Sequence, residues 1–221
     1  MEKGKWCAIF TGGSYKTSAD AIAFYQNIAD NAEYLICADS GANMVHKIGR
    51  RPEIIVGDMD SIDKEVLEAY KDVEQVKYRC DKDYTDTEIA IGKARDRGYS
   101  EIVLCGGVGE RFDHALGNAF SLIRLKRIGV HMRIVNYQQV IEASTETMIF
   151  EGRQGWTLSF IPVSERVENV TISGMQYPLV NKTLEIGVSL TISNVVTEDL
   201  ATLNYTKGEM LVILTRPSCL A

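Results

Sequence analysis

Short apolar runs alternate with helix-like segments up to about residue 136 of this 221-residue chain, and this alternation leaves few possible folds. The runs mostly lack polar alternation, as expected of strands that are buried on both faces. They are Trp6–Phe10, Tyr34–Ala38, Ile54–Val56, Val76–Arg79, Ile102–Cys105 and Met132–Val135. About six strands separated by helices predict an α/β domain with a doubly wound, mostly parallel sheet.

The pattern changes after about residue 137. Helical spacing disappears, and Thr, Val and Ile alternate with polar residues between glycine-containing turns. Seven short strands are predicted: Val140–Ser144, Trp156–Ile161, Asn169–Ser173, Leu184–Ile186, Leu190–Ser193, Ala201–Tyr205 and Met210–Leu214. This arrangement is typical of a small all-β sandwich or barrel. We therefore predict an α/β domain over residues 1–137 and a β-sandwich domain over residues 138–221.

Charge and composition exclude several classes of protein. The net charge of −6 offers no basic field for nucleic acid. The apolar runs are much shorter than the roughly 18–20 residues of a membrane span, and the first residues do not form a secretory signal. Five cysteines without a Cys-x-x-Cys pair support neither a disulfide framework nor a zinc cluster. We expect a cytoplasmic protein that binds neither nucleic acid nor membranes.

Glycine and aspartate are concentrated in the loops that follow the first five predicted strands. In an open parallel sheet, ligands bind beyond the carboxyl ends of the strands, so these loops meet at one edge. Gly12-Gly13 follows the first strand and Gly106-Gly107 the fifth. The aspartates that converge on this edge are Asp39, Asp58, Asp60, Asp81, Asp83, Asp86 and Asp113.

So many carboxylates repel one another unless a cation lies among them. Mg²⁺ is the matching ion, because it takes carboxylate and phosphate oxygens together. Asp58 and Asp60, two residues apart beyond a strand, can turn both side chains to one ion. The glycine loops let backbone N–H groups approach a phosphate. The loops together predict a site for a metal ion and a polyphosphate.

Each motif also has a simpler explanation when it is taken alone. Asp58-x-Asp60 is a common pattern in solvated turns, and Asp86 and Asp113 suit the first turn or the N-cap of a helix. Thr85 has the spacing to Glu88 of a capping box. The coincidence of all five loops at one edge favours the site over these separate explanations.

Ordered blocks over nearly the whole chain resemble the thiamine pyrophosphokinase family. The blocks are Ala38–Asn43, Gly57–Ser61, Asp83–Glu88, Gly106–His114, Gly174–Leu179 and Ile192–Asn194. The resemblance implies transfer of a pyrophosphoryl group from ATP to the hydroxyl of thiamine, giving thiamine diphosphate and AMP. It also implies Mg²⁺ and a homodimer with the thiamine site at the subunit interface. The α/β domain would then bind ATP and Mg²⁺, and the β-sandwich would bind thiamine.

The resemblance also implies roles for individual residues. Asp58, Asp60 and Asp86 would be the Mg²⁺ ligands and, with Asp113, the catalytic carboxylates. From their chemistry and position we predict that ATP and its phosphates are bound by Lys82, Thr85, Gly106, Gly107 and Arg111. The thiamine contacts would be Asp39, Ser193 and Asn194. Asp113 could act as a base or as a metal ligand. Val195-Val196 stands where many relatives have an aromatic residue, so the partner that stacks on thiamine stays open.

Two other functions stay open from the residues alone. A metal-dependent nucleotidyltransferase would attack the α-phosphorus of ATP and release pyrophosphate, whereas pyrophosphoryl transfer releases AMP. A non-catalytic sensor of nucleotide or thiamine would bind without turnover, although it would need fewer carboxylates.

Overall fold

The computed structural model describes residues 5–77 and 84–217 of the chain. It divides into two compact units. Of the described residues, the first unit comprises 5–77, 84–118 and 129–137, and the second comprises 119–128 and 138–217. Lys82, Asp81 and Asp83, which the sequence places in the predicted site, lie outside the described residues.

Six strands among the described residues of the first unit form a parallel sheet in the order β6-β5-β1-β2-β3-β4. They are β1 (Cys7–Phe10), β2 (Tyr34–Ala38), β3 (Ile54–Gly57), β4 (Glu74–Lys77), β5 (Glu101–Cys105) and β6 (His131–Val135). Every residue of β1 and β3 is buried, which explains why these runs lack polar alternation. The prediction of an α/β unit with a mostly parallel sheet is confirmed.

Helices connect these strands. They are α1 (Ala19–Asn31), α2 (Gly41–Lys47), α3 (Lys64–Ala69), α4 (Asp86–Asp96) and α5 (Phe112–Arg127). The predicted capping box at the start of α4 is formed, with Thr85 and Glu88 each accepting a backbone N–H of the other residue. Asp113 lies within the first turn of α5 rather than at its N-cap. No helix of the described residues combines the length and apolar character needed to cross a bilayer.

Three cysteines lie on neighbouring central strands of the parallel sheet. Cys7 is on β1, Cys37 on β2 and Cys105 on β5, and all three are buried free thiols. Phe10 of β1 is paired in register with both Cys37 and Cys105. The three cysteines act as small apolar side chains that fill the core.

The described residues of the second unit form eight strands in two antiparallel sheets. One sheet has the order β12-β9-β14-β7 and the other β11-β10-β13-β8. The strands are β7 (Gln139–Ser144), β8 (Met148–Glu151), β9 (Thr157–Pro162), β10 (Arg166–Ser173), β11 (Leu179–Glu185), β12 (Asn194–Val195), β13 (Leu200–Asn204) and β14 (Met210–Thr215). Phe160 and Val212 from the first sheet join Phe150 and Leu203 from the second in one apolar core. The predicted β-sandwich is confirmed.

Two strand assignments in this unit differ from the sequence prediction. Residues 190–193, predicted as a strand, form a turn instead, because Ser193 has a left-handed backbone with φ of 61°. The strand begins only at Asn194. Strand β8 is absent from the sequence prediction because it is short and does not alternate: Met148, Ile149 and Phe150 are consecutive apolar residues, of which only Phe150 is buried.

Candidate active site

A cavity of about 600 Å³ in the first unit is lined by the loops that follow β1, β2, β3 and β5. The starts of α4 and α5 complete its wall. Strands β1 and β5 are neighbours, although the chain passes through β2, β3 and β4 between them. The strand order reverses at this pair, which is where open α/β sheets bind ligands.

Three aspartates cluster beside this cavity. Asp39, Asp58 and Asp60 each offer one carboxylate oxygen, and these three oxygens lie within 4.8 Å of one another. Asp39 follows β2 and the other two follow β3. The N–H of Asp39 donates to the carbonyl of Val56 over 2.8 Å, which ties the end of β2 to β3. The cluster therefore depends on the pairing of these two strands.

A buried methionine turns the backbone between two of these aspartates. Met59 has a left-handed conformation with φ of 70° and is only 6% exposed. The N–H of Asp60 donates to Asp58 Oδ1 over 3.1 Å, and the Ser61 hydroxyl donates to Asp60 Oδ1 over 2.7 Å. With the Met59 side chain anchored in the core, both flanking carboxylates reach the cluster.

The cluster fits a hard divalent cation. Oδ1 of Asp39 is buried and has no hydrogen-bond partner among the described residues. Burial raises the pKa of Asp39 above its ordinary value, although a hydrogen bond from the Ser40 N–H opposes this. The charges of Asp58 and Asp86 raise that pKa further. Mg²⁺ prefers oxygen ligands, and a bound ion would offset the repulsion between these carboxylates and give the buried oxygen a partner.

Asp86 lies in the same cavity but outside the group of three. As the first residue of α4 it lines the wall together with Asp58. A Cβ placed on Gly57 would lie 3.3 Å from Cγ of Asp86, so this carboxylate is next to the end of β3. The sequence predicts Asp58, Asp60 and Asp86 as the metal-binding trio, whereas the structure places Asp39 in the tight group instead of Asp86.

The two glycine loops lie against each other at the cavity. A Cβ on Gly13 would overlap the carbonyl oxygen of Gly106, and Gly106 itself has φ of 76°. Gly106 and Gly107, the predicted phosphate contacts, both line the cavity. The loops pack closely only because these positions lack side chains. Thr85 also lines the cavity, although its side chain accepts the N–H of Glu88 as a helix cap.

Arg111 is a cation in this wall and is paired with a carboxylate. Its guanidinium donates to both oxygens of Asp113, over 2.6 and 3.2 Å. The hydrogen bond from Arg111 lowers the pKa of Asp113 below its ordinary value. Arg111 and His114 line the cavity, while Asp113 is not among its lining residues. In this structure Asp113 therefore orients Arg111.

The two predicted thiamine contacts in the second unit have different environments. Ser193 lines a pocket of about 360 Å³ together with Gln139, Thr157 and Ser159. Asn194 is only 3% exposed. Its amide accepts from the Tyr177 N–H over 2.9 Å and donates to the Tyr177 carbonyl over 2.8 Å. Asn194 thus fixes a loop of the unit, and only Ser193 faces open space.

Comparison with known proteins agrees with this arrangement of two units. Residues 25–134 match the family model described as thiamin pyrophosphokinase, catalytic domain. Residues 146–209 match the model described as thiamin pyrophosphokinase, vitamin B1 binding domain. The chain belongs to the thiamin pyrophosphokinase family.

Several thiamin pyrophosphokinases are similar to it over most of their length. The thiamine pyrophosphokinase of Bacillus subtilis is 29% identical over 182 residues, which cover 80% of this chain and 85% of that protein. A crystal structure of thiamine pyrophosphokinase from Bacillus subtilis superposes with a TM-score of 0.84 at 26% identity, covering 96% and 99% of the two chains. The crystal structure of thiamin pyrophosphokinase from Geobacillus thermodenitrificans has a TM-score of 0.79 at 28% identity, and the match covers 97% of this chain and 100% of that chain.

Some residues of the site are not identified by the sequence motifs. The hydroxyl oxygens of Thr11 and Thr87 lie 3.0 Å apart, and Asn118 donates to the Gly107 carbonyl over 2.9 Å. Tyr84 lines the cavity with an exposed ring. Thr11 and Asn118 join partners from different loops, so no local pattern announces them. For Tyr84, its place beside Thr85 in a matching block was the available signal.

Proposed function

We propose that this member of the thiamin pyrophosphokinase family transfers the pyrophosphoryl group of ATP to the hydroxyl of thiamine. The products are thiamine diphosphate and AMP. The observation that carries the proposal is the juxtaposition, in one cavity, of clustered carboxylates with two glycine loops. Such a cavity suits a metal-bound polyphosphate, and family membership supplies the acceptor.

Mg²⁺ is the cofactor that the carboxylates fit, and when bound it would offset the negative charge of the donor phosphates. We assign Asp39, Asp58 and Asp60 as the residues that would hold it, with Asp86 beside them in the cavity. This assignment moves Asp39 from a predicted thiamine contact to a metal ligand. The buried, unsatisfied oxygen of Asp39 supports the change.

The chain's own groups act mainly by positioning the donor. The thiamine hydroxyl oxygen forms a bond to the β-phosphorus, and the bond from that phosphorus to the oxygen bridging to the α-phosphorus breaks. AMP leaves with that oxygen, and the proton of the thiamine hydroxyl is released to solvent. N–H groups of Gly106 and Gly107 and the guanidinium of Arg111 bind the phosphate oxygens, on which charge collects. Thr85 and Lys82 are further proposed phosphate contacts.

Asp113 serves this reaction through Arg111. An ionised carboxylate with a lowered pKa is a poor proton acceptor, because a general base works best with a pKa near the operating pH. Its bidentate pairing instead fixes the orientation of the guanidinium, whose remaining N–H groups can donate to phosphate oxygens. We therefore assign Asp113 as a positioning residue rather than a base.

We propose that residues 1–137 bind ATP and Mg²⁺ and that residues 138–221 bind thiamine. The pocket beside Ser193 presents hydroxyl and amide groups among isoleucines, which suits a polar heteroaromatic ring. Asn194 would contribute by fixing the neighbouring loop. The buried free thiols of Cys7, Cys37 and Cys105 are typical of a reducing compartment, which supports action in the cytoplasm.

A homodimer is the proposed active form. The segment between β11 and β12 exposes four aliphatic side chains, Ile186, Val188, Leu190 and Ile192. Contiguous exposed apolar groups mark interaction surfaces. This segment runs directly into Ser193, so a partner seated on it would lie next to the proposed thiamine pocket.

Product analysis tests the proposed reaction directly. Purified protein is incubated with ATP, Mg²⁺ and thiamine, and both products are identified by chromatography and mass spectrometry. AMP with thiamine diphosphate supports the proposal. Pyrophosphate with an adenylylated product would establish a nucleotidyltransferase instead. Thiamine binding without turnover would indicate a sensor.

A further inference from the structure

Tyr15 has a hydroxyl that joins the two glycine loops of the cavity. Its oxygen lies 2.7 Å from the carbonyl oxygen of Thr11 and 3.0 Å from that of Cys105. These carbonyls belong to the residues directly before Gly12 and Gly106, where each loop begins. Thr11 also donates its N–H to the Cys105 carbonyl over 3.0 Å. One side chain thus contacts the base of both loops.

The Tyr15 ring is fixed by aromatic neighbours. It stacks on Phe10 with ring centroids 6.2 Å apart, and it meets the edge of Tyr25 at 5.2 Å. Burial raises the pKa of the Tyr15 phenol well above its ordinary value, so the hydroxyl keeps its proton and remains a donor at neutral pH. The single hydroxyl proton is shared between the two carbonyl oxygens, so one donor contacts both loops.

The loops leave no slack around this hydroxyl. A Cβ on Gly106 would overlap the Tyr15 hydroxyl and come within 2.6 Å of the Thr11 carbonyl oxygen. A Cβ on Gly109 would lie 3.2 Å from Cα of Gly13, so the two loop backbones also meet further along. A shift of either loop is therefore transmitted to the other.

We propose that Tyr15 is a positioning residue that sets the spacing of the two glycine loops and thereby the affinity for the donor's phosphate groups. The inference rests on the proposed function, because it takes those loops as the phosphate-binding elements. Tyr15 acts through the backbone of Gly12-Gly13 and Gly106-Gly107.

The test removes the hydroxyl alone with Tyr15→Phe and compares it with Tyr70→Phe. Tyr70 is a matched control, because it is a buried phenol of the same unit that donates to a backbone carbonyl, that of Arg50, over 2.5 Å. Neither phenol lines the cavity, but the Tyr70 hydroxyl bonds to Arg50 and not to the base of a glycine loop. Binding of ATP with Mg²⁺ is measured by calorimetry without thiamine, and steady-state kinetics give KM for each substrate.

We expect Tyr15→Phe to weaken ATP binding about 3- to 10-fold, because loops that are no longer tied together must be ordered when the phosphates bind. KM for ATP should rise in parallel while KM for thiamine stays the same, and Tyr70→Phe should match the wild type in both. The inference is overturned if Tyr15→Phe binds ATP as tightly as wild type, or if both variants weaken binding equally. It is also overturned if Tyr15→Phe does not fold, since the hydroxyl would then serve stability.

Failure of the proposed function gives a different result. If the wild type binds ATP with Mg²⁺ but forms no thiamine diphosphate, the proposed reaction is wrong, and the binding comparison still decides the role of Tyr15. If the wild type does not bind ATP with Mg²⁺, both proposals are wrong.

Discussion

Asp39 carries an energetic conflict at the scale of a single residue. Its left-handed backbone, with φ of 45°, and its hydrogen bond to β3 hold the carboxylate beside Asp58 and Asp60. A partly buried carboxylate whose Oδ1 lacks a hydrogen-bond partner is costly, and neighbouring negative charges add to that cost. A cation bound at the proposed site would reverse the sign of the interaction.

Removing this charge should therefore stabilise the metal-free protein. In EDTA, we expect Asp39→Asn to raise the Tm by a few degrees, which for a chain of this size corresponds to about 1 kcal/mol. Added Mg²⁺ should raise the Tm of the wild type and have a smaller effect on the variant. Differential scanning calorimetry with and without Mg²⁺ measures both effects.

Asp63→Asn is the control for that experiment. Asp63 is an exposed aspartate just beyond the cluster, so its removal should leave the response to Mg²⁺ unchanged. An Asp39→Asn protein that is less stable than wild type in EDTA would contradict the assignment of Asp39 to the metal.

The pair of Arg111 and Asp113 allows a prediction about protonation. The hydrogen bond from Arg111 stabilises the ionised carboxylate, so Arg111→Met should raise the pKa of Asp113 toward its ordinary value. Carboxyl carbon chemical shifts followed by NMR through a pH titration measure this change. The same variant should lose most of its turnover, because a phosphate partner is removed.

Arg51→Met provides the matched comparison. Arg51 lowers the pKa of Asp72 in the same way, in an ion pair that does not line the cavity. The pKa of Asp72 should therefore rise in this variant while turnover is retained. Loss of activity in both variants would show that the Arg111 effect is not specific.

At this scale the sequence could predict residues that share a loop, but not those that meet across strands. Asp58 and Asp60 are visible as a pair because only Met59 separates them. Asp39 joins them only through the pairing of β2 with β3, and Asn194 is used by Tyr177 through a contact across 17 residues. Such contacts depend on the folded backbone and leave no local pattern.

At the scale of the structural element, alanine substitutions at two glycines should change the stability in opposite directions. Gly106 has φ of 76° and no space for a Cβ, whereas Gly92, inside α4, has nothing within 4 Å of that position. We expect Gly106→Ala to destabilise by at least about 1–2 kcal/mol, the cost of a left-handed residue before any overlap. Gly92→Ala should stabilise by about 0.5–1 kcal/mol through helix propensity.

Urea unfolding of both variants tests the pair. If Gly106→Ala were as stable as wild type, the loops after β1 and β5 would not be packed as described. ATP affinity should fall in Gly106→Ala and stay unchanged in Gly92→Ala, since only the first substitution touches the cavity.

Most elements follow from local sequence because their burial is uniform. The inner strands of the parallel sheet are mostly continuous apolar runs, whereas the edge strand β4 buries none of its residues. The start of α4 is indicated by Thr85 and Glu88. Strand β8 is harder to find, because it exposes Ile149 and buries only Phe150. Residues 190–193 mislead in the opposite way, since Leu190 and Ile192 look like strand residues but are exposed.

For the whole molecule, the exposed aliphatic segment predicts self-association. We expect Leu190→Lys to convert a dimer into a monomer, because a charge in an apolar interface is not easily buried. Thiamine turnover should fall with it if the thiamine pocket requires the partner. Size-exclusion chromatography with light scattering measures the mass, and unfolding curves verify that the chain remains folded.

Ile149→Lys is the control for the dimer experiment. Ile149 is 62% exposed on β8, at the edge of the other sheet, where a lysine is well tolerated. That variant should keep the mass of the wild type. A wild-type protein that is monomeric at assay concentrations, yet active, would rule out the proposed homodimer.

The two architectures were predictable from the sequence because their patterns differ so sharply. Helical spacing ends near residue 137, and alternation of apolar and polar residues replaces it. The order of strands in each sheet was not predictable to the same degree. Because β1 lies between β2 and β5, strands β2 to β4 are added on one side of β1 and strands β5 and β6 on the other. No single residue of the sequence indicates this change of side.

The rate at which the three buried cysteines react can report how often the strands of the parallel sheet open. Burial holds the pKa of the Cys37 thiol far above its ordinary value, so an alkylating reagent finds neither access nor a thiolate in the closed state. Modification of Cys7, Cys37 and Cys105 must wait until their strands separate. Mass spectrometry of the labelled peptides would time the opening of each strand, and a slower rate with nucleotide bound would reveal how firmly the ligand closes the sheet.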